Sequence, residues 1–344
     1  MQVVVNGKTI EAAEGDSILK IAEANDIHIP TLCYLKKLSP IGSCRMCVVE
    51  VEGLEKPVTA CDTPAVNGMV IQTDTPKLRD MRREILRFLL VNHPLECPFC
   101  DKAGECMLQD LVYEYLDDVQ QFLVSIPGKQ YKEYATPAIV YHPNRCVVCS
   151  RCVRACREIV GRSVLDLVNK GYETRVEAVA PERCISCGEC LSVCPVGALT
   201  EHVSERKGRV WYAKKVPTVC GYCGVGCAIE LNIYDDKVIK VTTDEEAGPN
   251  NGSLCVKGRF GYGFITSPDR IKTPMIRKNG SLQEATWDEA LNYAARTLKR
   301  IKEDHGPDSI AGLTSARCTN EDNYVFQKFM RATIGTNNID HCAR

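Results

Sequence analysis

Along residues 2–11 apolar and polar positions alternate on either side of Asn6-Gly7, the pattern of two strands joined by a tight turn. Residues 16–25, beginning Asp16-Ser17-Ile18-Leu19, predict an N-capped amphipathic helix, and a strand-rich stretch interrupted by the Gly42-Ser43-Cys44 loop follows. A basic amphipathic helix is expected from Lys77 to Val91, with Leu86 and Leu90 inward and its charged face solvated, ending at Asn92-His93-Pro94. Residues 107–140 read as helix giving way to loop, with Pro127-Gly128 and Thr136-Pro137 as breakers. Residues 164–179, turning at Lys170-Gly171, suit a hairpin. Residues 204–215 read as a charged connector, after which Pro217 opens a new domain. Residues 228–242 alternate as two strands around Asp235-Asp236. From residue 270 the texture becomes an ordinary α/β pattern. It predicts a helix from Trp287 to about Glu303, a buried strand over 309–313 after the Pro307-Asp308 turn, and a helix over 323–334.

Composition changes this picture at one point. Lysine and arginine number 43 against 44 aspartate and glutamate, so the chain lacks the basic excess of a nucleic-acid binder. No apolar run approaches the 18 or so residues that cross a membrane, and the N-terminus shows no basic region followed by an apolar stretch. Cysteine, however, occurs 21 times in 344 residues. Disulfides serve short chains in oxidising compartments, and thiols two residues apart pair poorly with distant partners but suit chelation. The expectation is metal in a reducing, cytoplasmic compartment.

The cysteines fall into five groups: Cys33, Cys44, Cys47 and Cys61; Cys97, Cys100 and Cys106, preceded by His93; Cys146, Cys149, Cys152 and Cys156; Cys184, Cys187, Cys190 and Cys194; and Cys220, Cys223, Cys227 and Cys255. Only Cys318 and Cys342 stand outside. Nineteen cysteines and one histidine thus make five sets of four ligands. Thiolate tetrads suit zinc or iron–sulfur clusters. The third and fourth groups decide between them, because C-x2-C-x2-C-x3-C aims its last thiolate at a neighbouring cluster and a closed zinc site has no use for that exchange. Cys194 is therefore expected to complete Cys146, Cys149 and Cys152, and Cys156 to complete Cys184, Cys187 and Cys190, giving two [4Fe–4S] centres. Pro195 follows the second copy as that pattern expects; Arg157 follows the first. His93 supplies the ligand that Cys97, Cys100 and Cys106 lack. Glycines around Cys223 sit among ligands rather than after a buried strand, which argues against a dinucleotide loop.

The first group, with gaps of 10, 2 and 13 residues, departs from plant ferredoxin spacing. It resembles the [2Fe–2S] domain that opens the large iron–sulfur subunit of respiratory complex I, [FeFe] hydrogenases and some formate dehydrogenases. The fifth group, with gaps of 2, 3 and 27 residues and followed by Val256-Lys257-Gly258-Arg259, resembles the N-terminal [4Fe–4S] domain of enzymes carrying molybdenum or tungsten bis(pyranopterin guanine dinucleotide), formate dehydrogenases in particular. That resemblance implies that Lys257 relays electrons between cluster and pterin. The stretch from Ser315 to Tyr324 is similar to one leading to that active site. Residues 337–344 are similar to the segment just before the metal-ligating selenocysteine or cysteine. The resemblance covers the whole chain and implies the N-terminal portion of a formate dehydrogenase catalytic subunit, stopped near a selenocysteine codon or cut there. His341 and Arg344 are then expected to shape the site, and Cys318 and Cys342 to be buried structural thiols.

The expected architecture is an α+β multi-domain chain. It comprises a [2Fe–2S] β-grasp domain (1–78), a small helical His/Cys [4Fe–4S] domain (79–138), a bacterial-type two-cluster ferredoxin domain (139–212), a molybdenum/tungsten-type [4Fe–4S] domain (213–270) and the beginning of a pterin-binding α/β domain (271–344). The implied function is reversible formate oxidation. Electrons would enter at the cluster of Cys220, Cys223, Cys227 and Cys255 and leave through the His93 cluster or the [2Fe–2S] centre. The expected partners are flavin- and NAD(P)-binding diaphorase-type subunits or ferredoxin, in a hetero-oligomer. A complex I-type large subunit, an [FeFe]-hydrogenase-like relay and a stand-alone electron-transfer subunit remain as alternatives.

Overall fold

The computed structural model describes residues 1–116, 133–202 and 208–342. The Pro127-Gly128 breaker, residues 204–207 of the connector and Arg344 lie outside them. The chain divides into two compact units, Met1–Ala213 and Lys214–Arg344.

In the first unit β1 (Gln2–Val5) and β2 (Lys8–Glu11) form the expected hairpin, with Asn6 and Gly7 both at positive φ as a two-residue turn requires. Helix α1 (Ile18–Glu23) is capped by the Ser17 hydroxyl, which accepts from the Lys20 amide. Strands β3 (Val48–Val51), β4 (Val58–Thr59) and β5 (Val70–Gln72) complete a five-stranded sheet in the order β2-β1-β5-β3-β4, with β1 and β5 parallel. Val3, Val5, Ile18, Leu19, Val49 and Ile71 are fully or almost fully buried in one core beneath it. Burial at about 25 cal/mol per Å2 of apolar surface is what holds this half together.

Helix α2 (Pro76–Leu90) starts from the Thr75 cap with proline in its first turn, and α3 (Met107–Tyr115) packs beside it. Leu86 is buried as expected, but so is Arg82, at 1% exposure, so the basic face is not wholly solvated. Beyond these lie β6 (Tyr134–Ala135), β7 (Ile139–Tyr141), α4 (Arg151–Arg154), the hairpin β8 (Leu165–Val168) and β9 (Arg175–Ala178), α5 (Glu189–Ser192) and β10 (Leu199–Glu201). One continuous core joins these pieces: Leu32 and Met46 from the first domain meet Leu86, Leu111, Tyr115, Val153, Val193 and Val196.

The second unit opens with a strand rather than the tail of a connector. β11 (Lys214–Val219) pairs with β12 (Ala228–Tyr234), which pairs with β13 (Lys237–Thr242). Pro217 is tolerated because β11 is an edge strand. Asp235 and Asp236, both at positive φ, make the expected turn. After α6 (Val256–Phe260) come the hairpin β14 (Met275–Lys278) and β15 (Ser281–Glu284), α7 (Trp287–His305), β16 (Gly312–Thr314), α8 (Asn320–Lys328) with a wider helical turn to Ile334, and β17 (Ile339–His341). Both α7 and α8 begin with reciprocal capping boxes, at Thr286/Glu289 and Thr319/Asp322. The strand expected as buried over 309–313 is shorter and half open. Ile310 and Gly312 are buried, whereas Leu313 is 81% exposed, because among the described residues β16 pairs with β17 alone. No residue of α7 is buried.

Candidate metal centres

The first cysteine group is folded into two thiol pairs. Cys33 and Cys44 exchange backbone-to-sulfur hydrogen bonds of 3.3 and 3.5 Å. Their shared side-chain hydrogen bond holds the Cys44 thiol down to about 6 and pushes Cys33 up. Cys47 and Cys61 form the second pair, with Cys47 pushed up and Cys61 down by the same kind of contact. The loop between Cys33 and Cys44 turns at Gly42 (φ 57°), where a Cβ would lie 2.2 Å from the Asp62 carboxylate and 3.2 Å from the Thr59 hydroxyl. Only glycine suits that position.

Cys106 stands at the start of α3 with Cys100 and Cys97 as charge neighbours. His93 is held down to about 4 by burial and by the cation of Arg145, which leaves its imidazole neutral and able to act as a ligand. Arg145 also packs beside Gly197, against which the Cys100 sulfur lies so closely that a Cβ there would come within 2.3 Å of it. Met107 donates its amide to the Pro195 carbonyl at 2.9 Å, tying this group to the second C-x2-C-x2-C-x3-C segment.

The two C-x2-C-x2-C-x3-C segments are structural copies. Each is entered by a short helical turn starting at proline (Pro143–Arg145, Pro181–Arg183) and left by a short helix (α4, α5). Val148 and Ser150 in the first copy match Ser186 and Gly188 in the second, all four in the left-handed region. For β-branched Val148 that conformation is strained, and its amide there donates to the Cys146 sulfur at 3.4 Å. The charge neighbours of Cys152 are Cys149, Cys194 and Cys146; those of Cys190 are Cys187, Cys156 and Cys184, in each case ahead of a thiol of the other set. Burial pushes Cys149 and Cys190 up to about 12. An opposite charge among such thiols would favour their ionised form. Cys156, Cys184, Cys187 and Cys190 line one cavity of about 150 Å3. A cavity needs only ~10–15 Å3 to hold one water, so this space is larger than a single water requires. Among the described residues no three His, Cys, Asp or Glu side chains are arranged to hold a single ion.

In the second unit Cys227 has Cys220, Cys223 and Cys255 as its charge neighbours, and the Cys220 amide donates to the Cys227 carbonyl at 2.8 Å. Cys255 opens α6, and Lys257 is exposed; with Cys220, Tyr222 and Gly258 it lines a cavity of about 240 Å3. Two expectations fail nearby. Cys318 and Cys342 are exposed rather than buried, since the strands beside them form only a two-stranded sheet among the described residues. Cys342 shares a hydrogen bond with the Ser315 hydroxyl (3.3 Å) and accepts one from the Ala316 amide (3.4 Å), and these hold its thiol below the usual range. His341 lines an open cavity with Asn323 and Arg331.

Sequence reasoning overlooked a set of buried charges in the first unit. Arg151, Arg154 and Glu189 are 4%, 6% and 2% exposed. Arg154 donates to the carbonyls of Ser39 (2.6 Å), Cys33 (2.5 Å) and Cys149 (3.4 Å); Arg151 donates to the Tyr34 carbonyl; Glu189 pairs with Lys37 at 2.9 Å. The signal available was their position, since Arg151 and Glu189 each immediately precede a third cysteine.

Family models match successive stretches of the chain. Residues 1–76 match the 2Fe-2S iron-sulfur cluster binding domain, 82–116 the NADH-ubiquinone oxidoreductase-G iron-sulfur binding region and 145–198 the 4Fe-4S dicluster domain. Residues 213–267 match the molybdopterin oxidoreductase Fe4S4 domain and 270–344 molybdopterin oxidoreductase. Together these define the iron–sulfur electron-transfer region of a molybdopterin oxidoreductase. The whole chain is 43% identical to NADPH-Fe(3+) oxidoreductase subunit alpha of Geobacter sulfurreducens, covering 40% of that protein. It is 42% identical to an NADH-quinone oxidoreductase subunit from Rhizobium meliloti, again covering 40%. It is 32% identical, over 99% of its length, to a candidate formate dehydrogenase of Staphylococcus aureus, covering 39% of it. The chain thus spans about two-fifths of these relatives. A solved structure of NAD+-reducing [NiFe]-hydrogenase superposes with a TM-score of 0.56 at 28% identity, covering 61% of this chain and 90% of that one. No described helix is long and apolar enough to cross a membrane.

Proposed function

We propose that the chain is the electron-relay portion of a cytoplasmic formate dehydrogenase catalytic subunit, linked to NAD(P) or ferredoxin through flavin-bearing partner subunits. Its ligand sets are Cys33, Cys44, Cys47 and Cys61 for one [2Fe–2S] centre. Four [4Fe–4S] centres use His93, Cys97, Cys100 and Cys106; Cys146, Cys149, Cys152 and Cys194; Cys156, Cys184, Cys187 and Cys190; and Cys220, Cys223, Cys227 and Cys255. When bound, such clusters supply one-electron carriers whose potentials follow net charge, hydrogen bonding and exposure. The protein's part is to hold sulfur in place, keep it dry and grade those terms. Neutral His93 gives its set one negative charge fewer than an all-thiolate set. The two thiol pairs at Cys33/Cys44 and Cys47/Cys61 would each serve one iron. Lys257, two residues after Cys255, is assigned to the pterin-facing side. The five domain segments (1–78, 79–138, 139–212, 213–270, 271–344) each carry one step of this arrangement, the last beginning the pterin-binding layer.

The observation that carries the reading is the cavity lined by all four thiols Cys156, Cys184, Cys187 and Cys190, drawn from both copies of the repeated segment. Anaerobically prepared protein should contain about 18 iron atoms per chain with matching acid-labile sulfide; stoichiometric zinc with little iron would refute it. The substrate assignment rests on the resemblance of the fifth group and of the 315–324 and 337–344 segments. A second reading, an NAD(P)H-oxidising complex working on another acceptor, is favoured by the 43% and 42% relatives. Dye reduction by the full-length complex separates them. Formate-dependent reduction supports the first, whereas NAD(P)H-dependent reduction without any formate response supports the second.

A further inference from the structure

Arg151 and Glu189 occupy equivalent places in the repeated segment, yet one is a buried cation and the other a buried anion. Glu189 is neutralised by Lys37 at 2.9 Å. The hydrogen bonds of Arg151 go to neutral atoms instead. Its terminal nitrogens reach the Tyr34 carbonyl and the Met107 sulfur (3.2 Å), and its Nε is buried with no hydrogen-bond partner among the described residues. A buried, permanently charged group with an orphaned donor is stabilised by negative charge close by. Burial disfavours its cationic form while the Cys149, Cys33 and Cys44 thiols favour it. By sequence Arg151 sits between Cys149 and Cys152, and its guanidinium reaches the carbonyl of Tyr34, the residue after Cys33. Arg154, one turn on, bonds both ligand loops with a single nitrogen, at the Cys33 and Cys149 carbonyls.

We propose that Arg151 is a potential-setting residue shared by two centres, the [2Fe–2S] site of Cys33 and Cys44 and the [4Fe–4S] site containing Cys149, raising both together and leaving the pseudo-equivalent [4Fe–4S] site, beside the neutralised Glu189, lower. Reduction adds one negative charge to a centre, and a fixed cation in a dry interior stabilises that charge. One side chain between two sites acts on both. The inference rests on the ligand assignment above.

The test is an EPR-monitored redox titration of the full-length protein as wild type, Arg151→Gln and Arg151→Lys. In Arg151→Gln, the ratio of reduced to oxidised centre at the wild-type midpoint should fall about tenfold for the [2Fe–2S] signal and for one [4Fe–4S] signal. That corresponds to a shift of about 59 mV for one electron. Iron content and the remaining signals should not change, and Arg151→Lys should restore most of the shift. Movement of one signal alone, or of neither, with iron intact overturns the proposal while sparing the ligand assignment. Loss of iron in both variants also overturns it, by assigning the residue a purely structural role. Wild-type protein without a [2Fe–2S] signal refutes the assignment itself, and the proposal with it.

Discussion

Arg82 offers the sharpest test of how the first unit is held together. Its guanidinium lies at 1% exposure and donates to the carbonyls of Met46 (3.2 Å), Val48 (2.9 Å) and Thr73 (2.8 Å), approaches the Tyr115 hydroxyl at 3.4 Å, and lies 5.7 Å from the Tyr115 ring centre. One side chain of α2 therefore pins β3, the end of β5, α3 and the residue beside ligand Cys47. Arg82→Met keeps the apolar stem and strands three carbonyls. An unsatisfied buried polar group costs ~1–3 kcal/mol, and removing one partner of a buried charged network costs ~3–5 kcal/mol. We take about 3 kcal/mol for local opening, which speeds amide exchange more than a hundredfold where exchange follows that opening. The assay is hydrogen exchange by mass spectrometry on peptides covering 46–51 and 70–82, with Arg79→Ala as control. Arg79 is exposed and bonds Asp74 at 2.7 Å, so its loss should cost under ~1 kcal/mol. Exchange in Arg82→Met within threefold of wild type would refute the reasoning.

Gly197→Ala should push the Cys100 sulfur aside, because the new Cβ falls 2.3 Å from it; iron analysis should then show about four atoms fewer per chain, with the [2Fe–2S] signal intact. His93→Cys adds a negative charge to its set and should lower that one centre's potential with iron retained, and an unchanged titration removes His93 from the ligands. Cys342, whose thiol is held down by Ser315 and Ala316, should be alkylated at neutral pH several-fold faster than in Ser315→Ala, since the hydrogen-bonded thiol ionises at lower pH. Equal rates in the two proteins would remove that hydrogen bond from the account.

Much of this chain can be read without coordinates because iron–sulfur chemistry dictates residue type and spacing together. Cysteine has few substitutes as a cluster ligand, and the three-residue step to Cys156 and Cys194 already implies exchange between copies. Turns behaved similarly: Asn6-Gly7 and Asp235-Asp236 sit at positive φ, where only a few residue types are comfortable. What escaped detection depends on contacts distant in sequence. Arg82, Arg151 and Arg154 look like ordinary surface cations, and only their meeting with backbone carbonyls more than 30 residues away makes them interior. Cys318, Cys342 and the 309–313 strand were misjudged for the opposite reason. Their apolar or thiol character suggests burial, but burial requires a covering layer, and the pattern of a short segment does not reveal whether one exists.

The arginine clasp between the first domain and the repeated segment grips only main-chain oxygen on one side: Cys33, Tyr34 and Ser39. Every amino acid supplies that atom. At Tyr34 and Ser39 the clasp therefore places no demand on side-chain type, whereas the two arginines cannot be exchanged; Lys37 and Gly42 in the same loop stay fixed by their own contacts. Substitutional tolerance across the joint should be lopsided: permissive at the two gripped positions, strict on the helix that reaches them.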